Sequence, residues 1–62
     1  METLVKIKEL IELMSVEANK VFEKGNHSAS IRARKYAQEI KNLAGAFRKE
    51  ILEEVKKHDS KN

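Results

Sequence analysis

Residues 20–30, KVFEKGNHSAS, contain the one interruption in a 62-residue chain that otherwise favours helix throughout. The chain has two Gly and no Pro, and one of those glycines, Gly25, stands directly before Asn26. Glycine adopts the left-handed conformation that ends a helix, and Asn caps the start of the next. The pair therefore closes one helix at Lys24 and opens a second, which begins between Asn26 and Ser28, either of them a good N-cap. A two-residue break between long helices makes an antiparallel hairpin.

On the N-terminal side, Leu4, Ile7, Ile11, Met14, Ala18 and Val21 keep to one helical face, and Leu10 and Phe22 widen it. Thr3 is placed to cap the start. Downstream of the turn, the apolar face runs Ala29, Ala33, Tyr36, Ala37, Ile40, Leu43, Ala44, Phe47, Ile51 and Val55. Phe22 and Phe47 are expected in the core, and Tyr36 packs there with its hydroxyl at the rim. With Glu, Lys, Leu and Ala dominant and no strand signal, the fold class is all-α. The expectation is a single helical-hairpin domain over residues 1–62, with a helix over about 3–24, a turn at 25–26, a helix over about 27–57 and a frayed tail at 58–62.

The arms of this hairpin are unequal. The first helix covers only about 22 residues of the second, which leaves Ile51, Leu52 and Val55 beyond its reach. Val5, Leu13 and Val16 lie off the main stripe of the first helix and also lack cover. Chains below about 70–80 residues seldom bury enough apolar area unless stapled, and this one has no Cys. A homodimer forming a four-helix bundle would cover both groups, with Ile51, Leu52 and Val55 as the oligomer interface, and a tetramer is the other assembly that would do so.

Charge is sorted along the chain. The net charge is +3, but residues 24–49 carry Lys24, Arg32, Arg34, Lys35, Lys41, Arg48 and Lys49 against Glu39 alone. Both flanking segments are net acidic. On the second helix, Arg34, Lys35, Lys41, Arg48, Lys49 and Lys56 plot opposite the apolar face, while Glu39, Glu50 and Glu53 collect on one flank. Arg32 and Arg34 are both expected to project away from the core. A local cationic surplus of this kind is what a phosphate backbone recognises.

Other classes find less support. There is no Ser-His-acid set, and a hairpin this small offers little concave volume, so no catalytic residue and no small-molecule substrate are expected. His27 and His58 lie far apart without an acid cluster, so neither a metal nor any other cofactor is expected. Lys6, Lys8 and Glu9 interrupt the N-terminal apolar residues, which argues against a signal peptide or a membrane span. A cytoplasmic protein is the resulting expectation.

The run Glu23-Lys24-Gly25-Asn26, followed by the small residues Ser28, Ala29 and Ser30, then Arg32-x-Arg34, with Phe47-Arg48-Lys49-Glu50 further on, resembles the bacterial linker-histone-like nucleoid proteins of the Hc type. The likeness spans residues 20–57 and extends to the first helix in general character. It implies DNA binding and nucleoid association, with Lys24, Gly25, Asn26, Arg32, Arg34, Arg48 and Lys49 as the matching positions. The developmental members carry a long Lys/Ala/Pro-rich tail, whereas this sequence stops at Lys61-Asn62. The resemblance therefore implies weaker compaction than a tailed member gives.

The residues also make a phosphate site on their own terms. A helix N-terminus presents unpaired N–H groups and partial positive charge, so the turn from Gly25 to Ser30 suits a phosphate, with Lys24 and Ser28 beside it. Arg supplies a planar fork for bidentate contact, and Lys35, Lys41 and Lys49 act as point charges. Two functional readings follow: a small histone-like protein that contacts the phosphates of DNA, or of RNA, without reading sequence; and a helical homodimeric module for protein–protein interaction with no nucleic-acid role.

Overall fold

The structure, a computed structural model, describes residues 1–59 and consists of α1 (Glu2–Lys24) and α2 (His27–Asp59). Among the described residues there is no strand. Gly25 ends α1 in the left-handed region, at φ 63° and ψ 30°. Its N–H donates to the Val21 carbonyl at 2.8 Å, and that of Asn26 donates to the Lys20 carbonyl at 3.3 Å, so carbonyls left over at the end of α1 are satisfied by the turn itself. Asn26 then caps α2, its Oδ1 accepting the Ala29 N–H at 3.0 Å. Two residues thus both end one helix and start the next, and the chain reverses.

The two helices meet along a narrow seam. On α1 the least exposed positions include Thr3, Ile7, Leu10, Met14, Glu17 and Val21, and on α2 they are led by Ala29, Ala33, Tyr36, Ile40, Leu43, Phe47 and Glu50. Both series step alternately by four and three residues, the spacing of a coiled-coil seam. Register is fixed near both ends. Thr3 Oγ1 donates to Glu50 Oε1 at 2.8 Å, and Arg32 Nε donates to Glu17 Oε2 at 2.7 Å. Facing residues therefore have numbers that total about 51, the value set by the turn at Gly25 and Asn26.

Several expectations need correction. Thr3 does not cap α1: Met1 holds the N-cap position without a side-chain bond, and the Thr3 hydroxyl is spent on Glu50. Phe22 is not in the core but 87% exposed, and Ile11 is 43% exposed. Ala37 and Ala44 are likewise exposed. The physical reason is common to the four exposed apolar residues. A helix with a single neighbour can cover only the coiled-coil seam, whereas the wide apolar stripe expected from the sequence needs neighbours on two sides. Phe47 does lie in the seam, half-buried. Ala29 is the one apolar side chain fully buried among the described residues.

Beyond Glu50, α2 runs past the start of α1. Ile51, Leu52 and Val55 are 44%, 60% and 50% exposed there. The seam spacing continues through Glu54 and Lys57, whose side chains approach to 3.9 Å, and His58 Nε2 lies 3.4 Å from Glu54 Oε1. So the helical surface that faces α1 elsewhere turns polar, and the apolar residues rotate onto other faces. The helix persists through His58 and Asp59, which were expected to fray. Residues 60–62, the rest of that tail, lie outside the described residues. The result is a rod with extents of 56 × 14 × 14 Å.

The two glycines should respond oppositely to alanine. At Gly25, where φ is +63°, Ala is strained and should cost about 1–2 kcal/mol. At Gly45, a Cβ meets nothing within 4 Å inside a helix, so Ala should stabilise by about 0.5–1 kcal/mol. Urea denaturation of the two variants checks both signs.

Candidate nucleic-acid interface

The positions that carry charge follow from the seam. Once Ala33, Tyr36, Ile40, Leu43 and Phe47 face α1, helical geometry places Arg34, Lys41 and Arg48 in one line on the outer surface. They recur every seven residues, about 10.5 Å apart along the axis. Lys35, Lys49 and Lys56 form the adjoining line, in which Asn42 takes the remaining position. All are exposed. Among the described residues no ion pair engages Arg34, Lys35, Lys41, Arg48 or Lys49. Gly45 lies on the outer face between Lys41 and Arg48, where no side chain rises beside them.

The turn contributes differently. Lys24 lies in the last turn of α1, where a cation complements the helix dipole. Asn26 occupies the Ala29 N–H, and the Ser30 N–H bonds the Asn26 carbonyl at 3.2 Å. That leaves the amides of His27 and Ser28 as the α2 donors outside the intrahelical ladder. Gly25 and Asn26 thus shape the turn through their backbone and cap bonds, and the positive charge is supplied by their neighbours.

Arg32 occupies a position not foreseen from the sequence. It does not project free of the core: its Nε is held 2.7 Å from Glu17, a carboxylate whose side chain is only 9% exposed. Lys20 Nζ approaches the other oxygen of Glu17 at 3.3 Å. Half of the Arg32 side chain remains exposed, so its guanidinium connects the seam to the surface. The sequence pattern does not single out Glu17, because a charged side chain on a helix ordinarily faces solvent. Its place between Met14 and Val21 in the alternating four-three count was the available signal, as was Arg32 at the matching height on the other side of the turn.

Arg32 holds the Glu17 carboxyl below the usual carboxylate range, against the upward pull of burial and with further help from Lys20. The same contact raises Arg32. At the far end of the seam, the second oxygen of Glu50, Oε2, is shut off from solvent without a hydrogen-bond partner among the described residues.

The arrangement defines a helical hairpin that presents a line of unpaired cations on its longer arm. The chain belongs to the histone H1-like protein Hc1 family, whose family model matches residues 1–57. No curated protein and no solved structure matches the chain. Among the described residues, no helix is long and apolar enough to cross a membrane, and no group of three or more His, Cys, Asp or Glu is placed to hold a metal.

The Glu17–Arg32 contact should appear in the pH dependence of stability. Because the folded Glu17 pKa is lowered from its ordinary value of 4.5, its contribution is fully present above that value and is lost as pH falls through the folded pKa. Thermal melts from neutral pH to about pH 3 should show this acid loss. Glu17→Gln should lower stability at neutral pH and flatten the acid limb.

Proposed function

We propose that this protein binds the phosphate backbone of DNA without sequence readout, as a nucleoid-associated histone-like protein. The observation that carries this reading is the line of Arg34, Lys41 and Arg48, exposed, evenly spaced and without acidic partners. Lys35 and Lys49 broaden the line, and Lys24 and Arg32 extend positive charge toward the turn. The outer face of α2 carries no aromatic side chain, since Tyr36 and Phe47 face the seam. Contact therefore falls to phosphates, which position a protein on nucleic acid but carry no base information. RNA phosphates offer the same charge, and a comparison of duplex DNA with duplex RNA measures any preference.

The acting unit is a homodimer. A monomer leaves Ile51, Leu52 and Val55 at the end of α2, and Val5, Leu13 and Val16 on α1, in water. Pairing two copies covers apolar surface that the short chain cannot bury alone.

Binding to random duplex DNA, measured across a series of salt concentrations, tests the function. Each neutralised phosphate contributes about −0.9 to the slope of log affinity against log salt, so a dimer engaging both copies of Arg34, Lys41 and Arg48 should give roughly −4 to −6. The triple variant Arg34→Ala/Lys41→Ala/Arg48→Ala should weaken binding to all sequences alike and flatten that slope, with helicity unchanged. Absence of wild-type binding at about 50 mM salt, where counterion release favours association, would return the protein to the interaction-module reading.

A further inference from the structure

Beside the seam, the two sides of the hairpin differ. On one side lie Leu4, Ile11 and Ala18 of α1 with Ala37, Ala44 and Ile51 of α2, each set spaced by seven residues. On the other side Lys6, Lys20, Arg32, Glu39 and Glu53 break up the surface around Leu13. The first side is a continuous apolar flank running most of the length of α1.

We propose that a second copy of the chain docks on this flank in antiparallel orientation, about a two-fold axis that crosses the rod at the height of Ile11. This rests on the homodimer reading above; of the exposed residues that motivate that reading, the flank takes in Ile51, while Leu13 and Val16 lie on the opposite side of α1 and stay in water. Reversing α1 about Ile11 sets Leu4 on the partner's Ala18 and Ile11 on the partner's Ile11. Reversing α2 about the point between Ile40 and Lys41 sets Ala37 on the partner's Ala44.

These two centres lie at the same height, to within about one residue, because facing positions of α1 and α2 total about 51. One axis therefore serves both helices. It places a large side chain on a small one at the Leu4 and Ala18 levels, which is how facing layers interdigitate. The ends fit as well. Phe22, 87% exposed near the turn, comes to the height of the partner's Met1, itself 61% exposed at the opposite end of α1. An axis parallel to the rod would keep those two groups at opposite ends of the assembly.

The arrangement also has an electrostatic consequence. Arg34, Lys41 and Arg48 run along the α2 edge of the flank, and the two-fold sets Lys41 opposite the partner's Lys41 and Arg34 opposite the partner's Arg48. The cations of both copies line one edge of the dimer.

Disulfide trapping tests the geometry, since the chain has no Cys of its own. Within one chain Leu4 and Ala18 stand about 21 Å apart along α1, far beyond the roughly 7 Å Cα separation a disulfide spans. In glutathione buffer, Ile11→Cys should oxidise to a covalent dimer. Leu4→Cys alone and Ala18→Cys alone should remain reduced, whereas the double variant, or an equimolar mixture of the two single variants, should cross-link. Circular dichroism of each variant verifies folding, and light scattering of the unmodified protein gives its mass.

A dimeric mass with Leu4→Cys cross-linking to itself, or with Ile11→Cys failing to cross-link, overturns this arrangement and leaves the homodimer standing. A monomeric mass overturns both. Loss of DNA binding by a protein that shows the expected trapping pattern removes the functional reading and leaves the interface intact.

Discussion

In a two-helix hairpin each helix has a single neighbour, and that limit governs the rest of the structure. One neighbour shields about two positions in seven, so most of each helix stays in water whatever its side chain. The consequence is visible in Phe22, Ile11, Leu13 and Val16, which the sequence marks as apolar and the fold leaves exposed. It is equally visible in Glu17, which enters the seam because two cations beside the boundary can reach it. With so little apolar area shielded, the polar contacts at Glu17 and Glu50 act less as sources of stability than as markers of alignment. The turn sets the register, and a carboxylate that missed its partners along the seam would mark a misaligned pairing.

The same geometry separates charge from packing on α2. Its seam face is fixed by α1, which places Arg34, Lys41 and Arg48 in one exposed line. Acidic residues are displaced to a flank, where Glu39 and Glu53 lie, or are drawn into the seam, as Glu50 is. Past Glu50 the requirement to face α1 ends, and the polarity pattern turns about the axis: Glu54 and Lys57 occupy the continuing seam positions while Ile51, Leu52 and Val55 face elsewhere. A change of phase at the point where the shorter arm stops shows how closely the sequence follows the length of its partner helix.

The hairpin was legible because its determinants are local. Gly25 and Asn26 carry the cap chemistry in their own side chains and backbone freedom, and helix periodicity is dense on both sides. The unequal arms followed from counting residues. What was not legible depended on how many neighbours each helix has. Phe22 extends an apolar stripe in the sequence, but it lies about 100° round the helix from the seam residue Val21, on a face that α2 does not cover. Thr3 looked like a cap from its position, yet its hydroxyl points along the seam to a residue 47 positions away. Arg32 and Arg34, two residues apart on one helix, differ in role because only the first stands opposite Glu17. The cationic line itself was readable, since all its members belong to one helix and need no tertiary contact to fall on one face.

The turn also sets the order in which the hairpin assembles. Contacting residues are separated by few positions near Gly25, and the separation grows steadily toward the far end, where Thr3 and Glu50 meet. Closing a short loop costs less entropy than closing a long one, so pairing proceeds from the turn outward, with each layer bringing the next within reach. Opening runs in reverse. The Thr3–Glu50 contact is the first to part and the Glu17–Arg32 contact among the last, so a partly opened chain keeps its turn, the first layers of its seam and the cations nearest to them in place.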